Sequence, residues 1–182
     1  MDVETDFQRV MQAFAHYGVK KASMADLAKA AEVSRQTLYN RFGTKEAVLD
    51  WAIAGCVEQL KHRATLTLSG PGNATDRLAI AFDRWIGDMV PVTRNSLHGA
   101  EIMDQGIQSL QRQGIEPHLE FEQIVERFLL DQNLCFDDNH AGDTTFLLVA
   151  AAKGLMLKST TSAEFSTGME RILRAIFPQA TG

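Results

Sequence analysis

The chain has 182 residues, 45% of them hydrophobic and 23% charged, with a formal net charge of −5. That length allows one or two domains, and the composition is that of an ordinary globular protein. No apolar run is long enough for a transmembrane helix, and the acidic start MDVETDF lacks the apolar core of a signal peptide, so a cytoplasmic location is expected. Cys56 and Cys135 stand far apart and in no metal-ligand spacing, as reduced core cysteines would.

Charge is unevenly spread. Residues 1–63 hold nine Lys and Arg against eight Asp and Glu, whereas residues 64–182 hold nine against fifteen. Residues 20–45 alone carry six basic and two acidic side chains. This asymmetry fits one nucleic-acid-binding end and one end that avoids phosphate.

In chain order, Phe7, Val10, Met11 and Phe14 recur at i, i+3, i+4 and i+7, which predicts an amphipathic helix from about Thr5 to Tyr17. Gly18 is placed to stop it. Lys20 and Lys21 follow in a loop, facing either solvent or phosphate. No basic arm precedes this helix, since Asp2, Glu4 and Asp6 are acidic.

Ser23 to Lys45, SMADLAKAAEVSRQTLYNRFGTK, reads as two short helices, a tight turn between them and the entry to a third. Ser23 and Ser34 are placed as N-caps. Met24, Leu27 and Ala28 share one face, and Leu38 and Phe42 face inward at i and i+4. Arg35, Gln36, Thr37, Tyr39, Asn40 and Arg41 are left pointing largely outward. That face has no acid. Arg suits guanine, Gln and Asn suit adenine, and the hydroxyls of Thr and Tyr suit phosphates. Two readings of the unit follow: a helix-turn-helix that reads DNA, or a packed helical hairpin with a polar surface.

Residues 6–55 resemble the N-terminal domain of the TetR family of transcriptional repressors. The resemblance rests on Phe14, Tyr17-Gly18, the Ser23-Met24-x-Asp26-Leu27-Ala28 entry, Val33-Ser34, Thr37-Leu38-Tyr39, Phe42 and Lys45-Glu46. It implies a DNA-binding site of Ser23, Ser34, Arg35, Gln36, Thr37, Tyr39, Asn40 and Lys45. In that pattern the residues matching Ser23, Thr37, Tyr39 and Lys45 hold the backbone, and those matching Arg35, Gln36 and Asn40 face bases. It also implies a homodimer on a palindromic operator, repression rather than activation, and release by a small-molecule effector. The domains are accordingly expected at 1–50 for DNA binding and 51–182 for effector binding and dimerisation.

Gly43-Thr44 breaks the chain, Thr44 caps the next helix, and Lys45 lies in its first turn, where the helix dipole favours an anion such as phosphate. That helix runs to about Leu66 or Leu68, long enough to belong to both halves. Ser69 to Asn73 is a breaker cluster. Helices are then predicted at about 74–89, ended by Pro91, at 94–112 with a bend or break near Gly99, at 115–133, at 142–159 after a polar loop Asp137 to His140, and at 163–177. The fold class is all-α, with about nine helices.

The 142–159 segment is apolar nearly all round and must be covered on most sides. It is either a central core helix or, with the last helix, a dimer interface. The resemblance favours the interface, with Phe146, Val149, Ala150, Lys153, Leu157, Met169 and Leu173 as its candidates. Trp85, Met89, His98, Met103, Phe121 and Phe128 are candidates for an effector pocket or for plain core, and Met-rich linings suit a hydrophobic or aromatic ligand. His118 and Glu122, at i and i+4, suit an ion pair better than a metal. No catalytic motif is present, so neither catalytic residue, metal nor cofactor is expected. The rival reading is an all-α dimer that works through protein partners or ligand sensing and no longer reads DNA.

Overall fold

The structure, a computed structural model, describes residues 3–178, without the side chains of residues 3–6, Thr93 and Asn95. The acidic start formed by Asp2, Glu4 and Asp6 therefore lies outside the described side chains. The described residues form ten α-helices and one π-helical turn, with no strand. They are α1 (Val3–Tyr17), α2 (Met24–Ala30), α3 (Arg35–Phe42), α4 (Lys45–Leu68), α5 (Ala74–Phe82), a π-turn (Asp83–Gly87), α6 (Met89–Asn95), α7 (Gly99–Gln113), α8 (Pro117–Asp131), α9 (Asp138–Lys158) and α10 (Ser162–Ile176).

The helices form two compact units. The first is the chain up to Gln59 together with Asn95–Glu116, and the second is Leu60–Arg94 together with the chain from Pro117 onward. The first unit closes over Val10, Phe14, Leu27, Val48 and Ala52, each fully buried. Full burial of a side chain the size of Leu or Phe contributes about 1.5–3 kcal/mol. Ile102 of α7 belongs to the same core. The second unit is built around Leu78, Phe82, Phe121, Leu129, Leu148, Phe165 and Met169, all without exposed surface.

Three stretches depart from their expected shape. The 74–89 helix is interrupted by the π-turn, in which the Asp88 amide donates to the Asp83 carbonyl at 2.8 Å. At the start of the same turn, the Asp83 carboxylate accepts from Ser166 Oγ of α10 at 2.7 Å. Pro91 does not end a helix but lies in the first turn of α6, where its missing N–H would have had no partner. Residues 138–140 are not loop but the start of α9, because the Asp137 carboxylate accepts from the His140 amide at 2.8 Å and caps it.

Candidate nucleic-acid interface

The site is built by caps. Ser23 and Asp26 form a reciprocal capping box on α2: the Asp26 amide donates to Ser23 Oγ at 3.2 Å, and the Ser23 amide donates to Asp26 Oδ2 at 3.0 Å. The hydrogen bonds from Ser23 hold the Asp26 carboxyl below the usual carboxylate range. The turn into α3 places Glu32 in the left-handed region, with φ 54°, a conformation that costs a residue with a Cβ about 1–2 kcal/mol. Its carboxylate pairs with Arg9 of α1 at 2.7 Å. Ser34 then caps α3, accepting from the Thr37 amide at 2.9 Å while sharing a 2.7 Å hydrogen bond with Thr37 Oγ1.

On α3 only Leu38 is fully buried. Arg35, Gln36, Thr37, Tyr39 and Asn40 are all exposed. They form two rows along the helix. The Arg35 guanidinium lies over the Tyr39 ring, 5.4 Å from its centroid. Gln36 Nε2 donates to Asn40 Oδ1 at 2.8 Å. Arg41 leaves this face: its guanidinium sits 5.0 Å from the Phe42 ring and 5.2 Å from the Trp51 ring of α4, and those rings contact each other.

Three acids of this unit are paired with arginines of the same unit. Besides Glu32 on Arg9, Arg112 of α7 binds Asp50 at 2.7 Å and Glu46 at 3.3 Å, both on α4. Lys20, Lys21 and Arg35 meanwhile keep exposed side chains. The result is a cationic, donor-rich surface around α3 whose nearby negative charge is already paired.

Lys45 is the exception among the predicted site residues. Its ammonium donates to three backbone carbonyls of the α1–α2 loop: Val19 at 2.8 Å, Lys20 at 2.9 Å and Ala22 at 3.1 Å. An ammonium has three N–H donors, so all are taken. Sequence spacing offered no sign of this tie.

The other predicted sets divide. Trp85, Met89, Phe121 and Phe128 fall in the second unit, whereas His98 and Met103 fall in the first. Trp85 stacks on Phe121 at 4.9 Å, and Phe121 meets Phe82 edge-on at 5.3 Å, so these rings pack against one another. His118 lies edge-on to Trp85 at 6.1 Å. Two open hollows flank α10, one of about 410 Å³ beside Lys158, Glu164 and Arg171, the other of about 620 Å³ beside Asp76, Glu170 and Arg174. Among the interface candidates, Val149, Met169 and Leu173 are buried within the chain itself. Phe146 and Leu157 are 71% and 72% exposed, and Ala150 and Lys153 share their face. Among the described residues no three His, Cys, Asp or Glu side chains gather as a metal site, and no helix is long and apolar enough to cross a membrane.

A capped, exposed, acid-free helix held behind a shorter one defines a helix-turn-helix unit of DNA-binding type in an all-helical chain. Residues 11–51 match the sequence model of the family described as bacterial regulatory proteins, tetR family, and the chain as a whole has the fold of TetR-family transcriptional regulators. It is similar to a transcriptional regulator from Rhodococcus sp. Rha1, with a TM-score of 0.65 and 17% identity over 100% of this chain and 99% of that one. It is similar to a cysteine mutant of the TetR-family regulator CifR complexed with 26-bp operator DNA, with a TM-score of 0.62 and 20% identity over 96% and 97% of the two chains. A third likeness is to FadR from Bacillus subtilis in complex with stearoyl-CoA, with a TM-score of 0.57 and 15% identity over 97% and 98%. Among curated proteins none matches the sequence.

Proposed function

We propose that this protein is a cytoplasmic TetR-type repressor, not an enzyme, that binds a palindromic operator as a homodimer and leaves it when a small molecule binds. The observation that carries the reading is the exposed face of α3. Arg35, Gln36, Thr37, Tyr39 and Asn40 stand there without an acid, while Glu32, Glu46 and Asp50 beside it are paired internally. Arg35, Gln36 and Asn40 read bases; Ser23, Ser34, Thr37 and Tyr39 hold phosphates.

The homodimer is supported by α9. Phe146, Leu147, Ala150, Lys153, Gly154 and Leu157 are exposed along one helical stripe, and nothing lies within 4 Å of where a Gly154 side chain would stand. A second copy of this stripe, with α10 beside it, would cover that apolar surface. Dimerisation also places two α3 helices on half-sites about 34–36 Å apart. For the effector we propose a hydrophobic or aromatic molecule bound beside Trp85, Met89, Phe121 and Phe128. The stearoyl-CoA complex of FadR supports a long apolar ligand in this fold. Such a ligand works only by binding the conformation that does not hold DNA more tightly.

Fluorescence anisotropy against the DNA flanking its own gene, with unrelated DNA as competitor, tests the reading. Competitor-resistant binding with a salt slope of several units is expected. Equal, weak binding to every sequence, including sequences from random-site selection, would overturn it in favour of an interaction protein.

A further inference from the structure

We propose that Lys45 and Glu101 are positioning residues for DNA binding, and that the loop they hold places the Lys20 and Lys21 ammonium groups, rather than that of Lys45, on phosphates. The inference rests on the DNA-binding reading above. The loop runs from Gly18 to Ala22 and is gripped from two sides. From α4, Lys45 Nζ takes the carbonyls of Val19, Lys20 and Ala22. From α7, Glu101 Oε1 accepts the Lys20 amide at 3.1 Å, and its other oxygen lies 3.5 Å from His98 Nδ1.

Gly18 makes the second grip possible. Its φ is +80°, and a Cβ there would stand 3.0 Å from both the Glu101 carboxylate and the His98 ring. The Val19 and Ala22 side chains turn into the core. Lys20 and Lys21 turn outward, and neither has an ion-pair partner among the described residues. The loop leads directly into Ser23, the cap of α2. Three of its carbonyls thus converge on the half-buried Lys45 ammonium, while the Lys20 and Lys21 side chains project outward. A fourth bond from Lys45 to phosphate would require giving up one of three carbonyls.

The test is the salt dependence of binding to an operator obtained by random-site selection. Each phosphate contact contributes about 0.9 to the log–log slope on B-DNA. Lys20→Ala and Lys21→Ala, both at exposed positions, should each flatten the slope by about that amount. Lys45→Met should weaken binding to every sequence and leave the slope as in the wild type. Glu101→Ala should weaken binding and speed hydrogen exchange at the Lys20 amide, and Glu101→Gln, which keeps the accepting oxygen, should restore both. A slope lost in Lys45→Met but kept in Lys20→Ala and Lys21→Ala overturns this inference and leaves the DNA-binding reading standing. Absence of specific binding by the wild type overturns both.

Discussion

Ser34 separates the fold of the reading helix from its task, because two substitutions there move the two properties in opposite directions. Its Oγ accepts from the Thr37 amide at 2.9 Å, and α3 has only eight residues and no acid in its first turn. Ser34→Ala leaves that amide without its partner, at a cost of about 1 kcal/mol. In a chain of this size that lowers Tm by about 2–4 °C. Ser34→Asp keeps a cap and adds a negative charge where the helix dipole favours one, so its Tm should equal or exceed that of the wild type. The same charge meets the DNA backbone. Two unit charges 4 Å apart repel by about 1 kcal/mol in water and about 4 kcal/mol at an effective dielectric of about 20. Operator affinity should therefore fall at least about fivefold in Ser34→Asp. Thermal unfolding by circular dichroism and operator anisotropy read the two effects separately. A Ser34→Asp protein that melts below the wild type yet binds operator equally well would refute both the capping role and the phosphate-facing placement of this helix end.

Gly87→Ala should destabilise the protein, since its Cβ would stand 2.5 Å from Asp83 Oδ1 and 2.7 Å from Phe165, an overpacking of about 1–3 kcal/mol that exceeds the roughly 1 kcal/mol gained in helix propensity. Gly142→Ala, whose nearest neighbour is 3.9 Å away, should instead stabilise by up to about 1 kcal/mol, and denaturant midpoints of the pair check this. The carboxyls of Asp26, held by Ser23, and of Glu164, held by Thr160, both lie below their usual range. A depressed carboxyl stabilises the folded state above its unfolded pKa of about 4 and loses that contribution as pH falls through the folded value. Asp26→Asn and Glu164→Gln should consequently flatten the dependence of Tm on pH below about 4.5, as melts over that range would show. Burial pushes the Cys56 thiol up to about 11, so at pH 8 its alkylation by iodoacetamide, followed by mass spectrometry, should be on the order of a hundredfold slower than in the unfolded chain.

The helices were legible where an apolar period and a capping side chain coincide. Phe7, Val10, Met11 and Phe14 mark α1, and Ser23, Ser34 and Thr44 mark the entries to α2, α3 and α4. The misread stretches are those where a letter has two structural meanings. Pro91 ends helices but also opens them, and only its position in the first turn of α6 decides between the two. Asp137 to His140 has the composition of a polar loop, yet Asp is both a loop residue and an N-cap, and acids in a first turn suit the dipole. The π-turn has no sequence signature: Asp83 and Ser166, whose hydrogen bond accompanies it, are 83 residues apart.

The reading face of α3 was legible because its evidence is compositional: eight consecutive residues, one of them buried, and no acid. What the sequence leaves dark is the pairing that gives that face its field. Arg112 reaches Glu46 and Asp50 from a helix more than 60 residues away, and Arg41, one of the outward set by spacing, turns instead onto Trp51. Lys45 is the extreme case. A first-turn lysine after a helix-turn-helix carries every sign of a phosphate ligand, and the dipole argument for it is sound. The competing acceptors are backbone carbonyls 23 to 26 residues upstream, and a carbonyl has no letter in the sequence. Any residue at 19, 20 or 22 would offer the same oxygen. The loop's hold on Lys45 therefore depends on where Gly18 turns the chain, through its φ of +80°, and Gly18 in turn leaves the room that Glu101 needs. Lys45→Met and Glu101→Ala thus perturb one loop from opposite sides, and if positioning is their shared role the double variant should lose less operator affinity than the sum of the two single losses.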